Sequence, residues 1–146
     1  MDMEQVYRAL TVLRAPLQRG EYDLHRLVGE TLAAAGIAAE HEKKLAPRCR
    51  IDFLCGGVGV EIKRGKPGVA RLLPQLARYC ACEEVAGLIL VSEGSVRLPP
   101  TLAGKPLRNL CLNQLWGIAL WRRKKTACSR PTCGRWGESP AGYTAP

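Results

Sequence analysis

No stretch of this sequence has the roughly 20 consecutive apolar residues needed to cross a bilayer. The longest apolar run toward the C-terminal half, VAGLILV from Val85 to Val91, is far shorter and reads as a buried strand. The opening MDMEQVYRAL carries acids early and lacks a long apolar run, so it is not expected to be a secretory signal. Seven cysteines, an odd number, argue against a disulfide framework. Cys55, Cys80 and Cys111 lie in apolar runs and read as small hydrophobes. Cys128 and Cys133 lack zinc-knuckle spacing, and no second pair follows them. There is no internal repeat. The expectation is a soluble cytoplasmic protein without a membrane segment, a structural disulfide or a zinc finger.

Acids are also scarce, at 13 against 22 bases in a chain of 146 residues with net charge +9. Six of those bases (Arg122, Arg123, Lys124, Lys125, Arg130 and Arg135) and only one acid, Glu138, fall after Leu120. The remainder is basic as well, so the excess is not confined to one end. A basic surface favours phosphate polyanions, although charge by itself also serves solubility.

The length suits one domain with a real core. Val6, Leu10 and Leu13 predict a short helix over residues 2–14. A second is expected from about Glu21 to Ala35, with Leu24, Leu27, Val28, Thr31 and Ala35 in one stripe and Gly36 as its stop. Three extended segments follow, Ala38–Leu45, Arg50–Cys55 and Val58–Arg64. Lys66-Pro67-Gly68 breaks the chain, and a helix runs to about Cys82, starting late or kinking at Pro74. Strands are expected at Val85–Ser92 and Leu107–Leu112, and a short helix at Asn113–Leu120. The division predicted is a single domain over residues 1–120 and a basic, flexible C-terminal tail over 121–146. A strand meander followed by a crossover helix implies an α/β fold, with a mixed central sheet flanked by helices.

The strongest local signal is RIDFLCGGVGVEIKRG, Arg50 to Gly65. Gly56-Gly57 between apolar runs is a two-residue hairpin turn needing φ > 0 at both positions. That turn opposes Cys55 to Val58, Leu54 to Gly59, Phe53 to Val60, Asp52 to Glu61, Ile51 to Ile62 and Arg50 to Lys63. With side chains alternating between faces, Ile51, Phe53, Val60 and Ile62 form a core face, and Asp52, Glu61 and Lys63 share the other. Two carboxylates with Cβ atoms roughly 4.5–5.5 Å apart repel each other. A hard divalent cation relieves that repulsion, and Lys63 lies within reach of a phosphate. Gly59 beside the cluster leaves room for a ligand backbone. The competing reading is a solvated outer face, on which Asp, Glu and Lys are ordinary.

This hairpin and the order of elements around it resemble the PD-(D/E)XK nuclease superfamily over about Glu21 to Ser92. The resemblance rests on an acid on the second strand, Asp52, and Glu61-Ile62-Lys63 on the third; Ile51 stands where the name-giving pattern has proline. Gln75-Leu-Ala-Arg-Tyr79 is similar to the Gln-x-x-x-Tyr motif of the RecB-like branch, its two polar residues one helical turn apart. The branch's iron–sulfur cluster is not carried over, because the cysteine spacing differs.

The resemblance implies a restriction-endonuclease-like core of helix, three-strand meander, helix and strand. It also implies a hydrolase cleaving phosphodiester bonds in DNA, endo or exo. Mg²⁺ or Mn²⁺ would be held by Asp52, Glu61 and the carbonyl of Ile62, with Lys63 as catalytic base or water-orienting group. Gln75 and Tyr79 would support the site. The family's first-helix acid or histidine falls on Glu21, His25 or Glu30. Glu21 and His25 share one side of the helix and are preferred, His25 also because its spacing before Gly36 is similar to that of the glutamate in archaeal junction resolvases. Glu40 and Glu42 are outside candidates. Two alternatives remain: a catalytically inert nucleic-acid-binding module on the same fold, and an interaction protein docking an acidic partner through its basic tail. The oligomeric state is open, a dimer included, and a phage or repair setting would be analogy only.

Overall fold

The computed structural model describes residues 1–14 and 23–117. Glu21 and the basic segment 121–146 lie outside the described residues, as does the end of the helix expected to reach Leu120.

Helix α1 (Met3–Leu10) opens on a capping box: the Asp2 side chain accepts from Glu4 N, and the Gln5 side chain accepts from Asp2 N. It ends at Thr11, short of the expected residue 14, while Leu13 beyond it is still buried. Helix α2 (Leu24–Ala34) starts three residues later than expected, because Asp23 caps it by accepting the Arg26 N–H. Its buried stripe is Leu24, Val28 and Leu32, whereas Ala35 is exposed. Strands β1 (Glu40–Ala46), β2 (Cys49–Cys55) and β3 (Val58–Lys63) form the meander. Helix α3 (Val69–Cys80) carries Pro74 inside its span, and β4 (Gly87–Ser92) is buried throughout. A two-residue strand, β5 (Thr101–Leu102), turns at Ala103-Gly104 (φ 50° and 75°) into β6 (Lys105–Cys111). It was not expected from the sequence. A single turn, α4 (Leu112–Leu115), follows.

The sheet order is β1-β2-β3-β4-β6-β5. The pairs β1-β2 and β2-β3 are antiparallel, β3-β4 and β4-β6 are parallel, and β5-β6 is antiparallel. The expected mixed α/β sheet flanked by helices is therefore present. It has two cores. On one face α1 and α2 bring Val6, Leu10, Val28 and Leu32 against Phe53, Val60, Ile62, Ile89 and Val91. On the other, α3 brings Leu72, Leu76 and Tyr79 against Ile51, Leu54, Leu88, Leu90 and Leu107. Among the described residues, no helix is long and apolar enough to cross a membrane.

The Gly56-Gly57 turn is as expected, with φ of 51° and 94°. The register holds for Phe53–Val60, Leu54–Gly59 and Cys55–Val58, and the β2-β3 ladder then stops. Ile51 belongs to the α3-side core and Phe53 to the α2-side core, which corrects the expectation that they share a face. The phase of β2 slips at Asp52. There the β1 residue between the pairs His41–Phe53 and Lys43–Ile51 is Glu42, at φ 50°, and the Asp52 carboxylate takes the Ile62 N–H at 2.7 Å. The same slip overturns the expected role of Gly59. A Cβ there would collide with Ile51 Cδ1 and with Leu88 Cδ2, so core side chains fill that space instead of a ligand.

Candidate functional site

Strict alternation along β3 sends Val60 and Ile62 to the α2 side and directs Glu61 and Lys63 toward α3. Leu72, Leu76 and Cys80 anchor α3 on the sheet. That packing aims Gln75 and Tyr79, one turn apart, at the strand carboxylate. Gln75 Nε2 donates to Glu61 Oε1 at 2.9 Å and to the Tyr79 hydroxyl at 2.7 Å. The Tyr79 hydroxyl donates in turn to the carbonyl of Arg50 at 2.9 Å. Helix α3 is thus tied by polar groups to both strands of the hairpin. Lys63 Nζ lies 2.7 Å from the same Glu61 oxygen, Oε1. Beyond Lys63 the chain is held by Glu93, whose N–H reaches the Lys63 carbonyl and whose side chain accepts the Gly65 N–H at 2.6 Å.

The other oxygen of Glu61 is the informative one. The Glu61 side chain is 3% exposed, and Oε2 is buried without a hydrogen-bond partner among the described residues. A buried acceptor left unpaired is costly, and such exceptions in native folds call for an explanation. Burial pushes the Glu61 carboxyl up from its ordinary range; the Lys63 ammonium opposes this, and the charge of Asp52 adds to it. The Tyr79 phenol is also pushed up, first by burial and then by Glu61. Asp52 is half-buried, with Oδ2 occupied by the Ile62 N–H. The N–H and C=O of a strand residue point toward the same neighbour, so the Ile62 carbonyl is directed toward Asp52. Two carboxylates and a main-chain carbonyl suit a hard divalent cation. Among the described residues, no group of three His, Cys, Asp or Glu side chains is placed to hold a metal. Any cation here would rely on that smaller set and on water or substrate oxygens.

Asp52, Glu61, Lys63, Gln75 and Tyr79 are therefore brought together. His25 is not joined to them: its ring lies 5.9 Å from that of His41 and 6.4 Å from Phe53, on the α2 side. Glu30 pairs with Arg26 at 3.7 Å, Glu40 with Lys43 at 2.7 Å and Glu42 with Arg50 at 3.8 Å. Sequence reasoning missed the cleft beside the cluster, about 600 Å³, which Gln75 and Tyr79 help to line together with Glu42, Lys44, Arg48, Arg50 and Arg78. Its cations come from two strands, a turn and a helix, and the only trace of them in the sequence was the basic excess outside the tail. Cys55 and Cys80 are buried and free, and burial pushes the Cys55 thiol up to about 11. Comparison with protein-family models, with curated proteins and with solved structures returned no match to this chain.

Proposed function

We propose that the chain is a divalent-metal-dependent nuclease that hydrolyses phosphodiester bonds in DNA on a restriction-endonuclease-like core. The observation that carries this reading is the buried Oε2 of Glu61, which has no hydrogen-bond partner among the described residues, on a carboxylate that feels the charge of Asp52 and pairs with Lys63 at 2.7 Å. The order α2-β1-β2-β3-α3-β4 supports it, being the order that the PD-(D/E)XK resemblance implies.

Asp52, Glu61 and the Ile62 carbonyl would hold Mg²⁺ or Mn²⁺, which when bound would polarise the phosphoryl oxygens and lower the pKa of water. Gln75, fixed by Tyr79, keeps Glu61 Oε1 occupied, which leaves Oε2 as the donor atom. Lys63, 30% exposed, pairs with the buried carboxylate and also reaches solvent. It orients the attacking water and steadies the negative charge that develops on the phosphoryl group.

The inert binding module is the second reading. One observation favours it: Lys63 Nζ lies 2.7 Å from Glu61 Oε1, so the carboxylate has a protein cation to neutralise it. The test is purified protein incubated with single-stranded, duplex, circular and branched DNA, with Mg²⁺, with Mn²⁺ and with chelator. Cleavage confined to the metal lanes is expected. Binding without cleavage in any lane would favour the inert module.

A further inference from the structure

We propose that the cleft between the β1-β2 turn and helix α3 is the seat of one nucleic-acid strand, gripped through its phosphates by Lys44, Arg48 and Arg78. This deepens the nuclease reading and rests on it for the role of the neighbouring Glu61 cluster. The cleft, about 600 Å³, shares Gln75 and Tyr79 with that cluster, so a strand lying in it passes beside the glutamine that holds Glu61.

Three observations carry the inference. First, four cations line the cleft against a single carboxylate, Glu42, whose partner is Arg50 at 3.8 Å. Among the described residues, Lys44, Arg48 and Arg78 make no ion pair. Unneutralised cations gathered in a concave wall focus potential on an anion. Second, Glu42 (φ 50°) and Arg48 (φ 60°) are two of the three described non-glycine residues with positive φ, and both line this cleft. Held strain of this kind clusters at binding sites. The β1-β2 register also shifts between Lys44 and Ala46, the sort of irregularity that re-aims side chains. Third, the lining offers no exposed aromatic ring for base stacking, since Tyr79 is 3% exposed. Arg48 and Arg78 supply planar forks that match phosphate oxygens. The cleft therefore reads the backbone and not the bases.

The test is equilibrium binding of a fluorescein-labelled DNA oligonucleotide by the full chain, with divalent cations chelated, across a salt series. Arg48→Gly removes a charge at a backbone angle that glycine adopts freely. Arg78→Gln removes one while keeping a good helix former. Each should weaken binding and reduce the slope of log K against log salt by about 0.7–0.9, and the double variant by about twice that. Arg26→Ala, on α2, should leave the slope unchanged. Unchanged slopes in both cleft variants would overturn the proposal, and so would an equal drop in Arg26→Ala. Competition by polyglutamate as strong as by unlabelled DNA would assign the cleft to an acidic chain and also overturn it. Because no metal is present, the result is independent of cleavage. Normal cleavage with unchanged slopes would sink the cleft alone, and altered slopes without any cleavage would sink the chemistry alone.

Discussion

Asp52 and Glu61 are both carboxylates, yet their substitution should have different consequences. Asp52 accepts the Ile62 N–H at 2.7 Å where the β2-β3 ladder has stopped. Asp52→Ala leaves that half-buried donor without its partner and should cost about 1–3 kcal/mol of stability. That loss opposes any relief of repulsion with Glu61. Asp52→Asn keeps an acceptor in place, so it should fold normally while losing affinity for Mn²⁺; thermal melts and calorimetry separate the two variants. Glu61 behaves in the opposite way, because burial raises its pKa. In metal-free protein the folded state holds the Glu61 proton at pH values where the unfolded chain has released it. Stability should therefore fall as pH rises from the ordinary glutamate value of 4.5 up to the raised folded one, and then stay low. Glu61→Gln should remove this dependence and raise the metal-free melting temperature at neutral pH. A flat wild-type profile, matched by the variant, would contradict the assignment.

Among the elements, the hairpin was legible because its cause is local: Gly56 and Gly57 both need positive φ, which only a few residue types tolerate. From that turn the placement of Glu61 and Lys63 on one face followed. The phase slip at Asp52 was not legible, because it coincides with an irregularity in the neighbouring strand, Glu42 at φ 50°, that no local pattern of β2 reveals. That non-local event placed Ile51 on the α3 side and filled the space over Gly59. Gly59→Ala should consequently be overpacked, with its methyl against Ile51 Cδ1 and Leu88 Cδ2 in the core. A loss of about 1–3 kcal/mol in denaturant unfolding is expected, and a neutral result would mean that the Ile51 and Leu88 methyls yield without cost. The late start of α2 had a signal in the sequence, Asp23 as a cap before Arg26, that the apolar stripe alone did not weigh. The strand β5 had too few residues to show any periodicity.

At the scale of the whole molecule, the order of elements and the mixed sheet could be read from apolar periodicity. The cleft could not, because its cations converge only after β1, β2 and α3 have packed. The basic segment after Leu120 contributes a separate share of charge, six bases to one acid. Truncation after Leu120 should reduce the salt dependence of DNA binding without abolishing metal-dependent cleavage. Loss of cleavage together with loss of the thermal transition would assign that segment to the fold. The role of the Glu61–Lys63 cluster is decided by the rate of Mg²⁺-dependent DNA cleavage by wild type and Lys63→Ala, both compared at saturating cation. Lys63 is the cation paired with buried Glu61 and is no metal ligand, so its loss should lower the metal-free melting temperature, while in folded, cation-saturated protein the rate should fall on the order of 10²–10³. Equal rates in the two proteins, or a wild type that cleaves no better with Mg²⁺ than with chelator, would contradict the account.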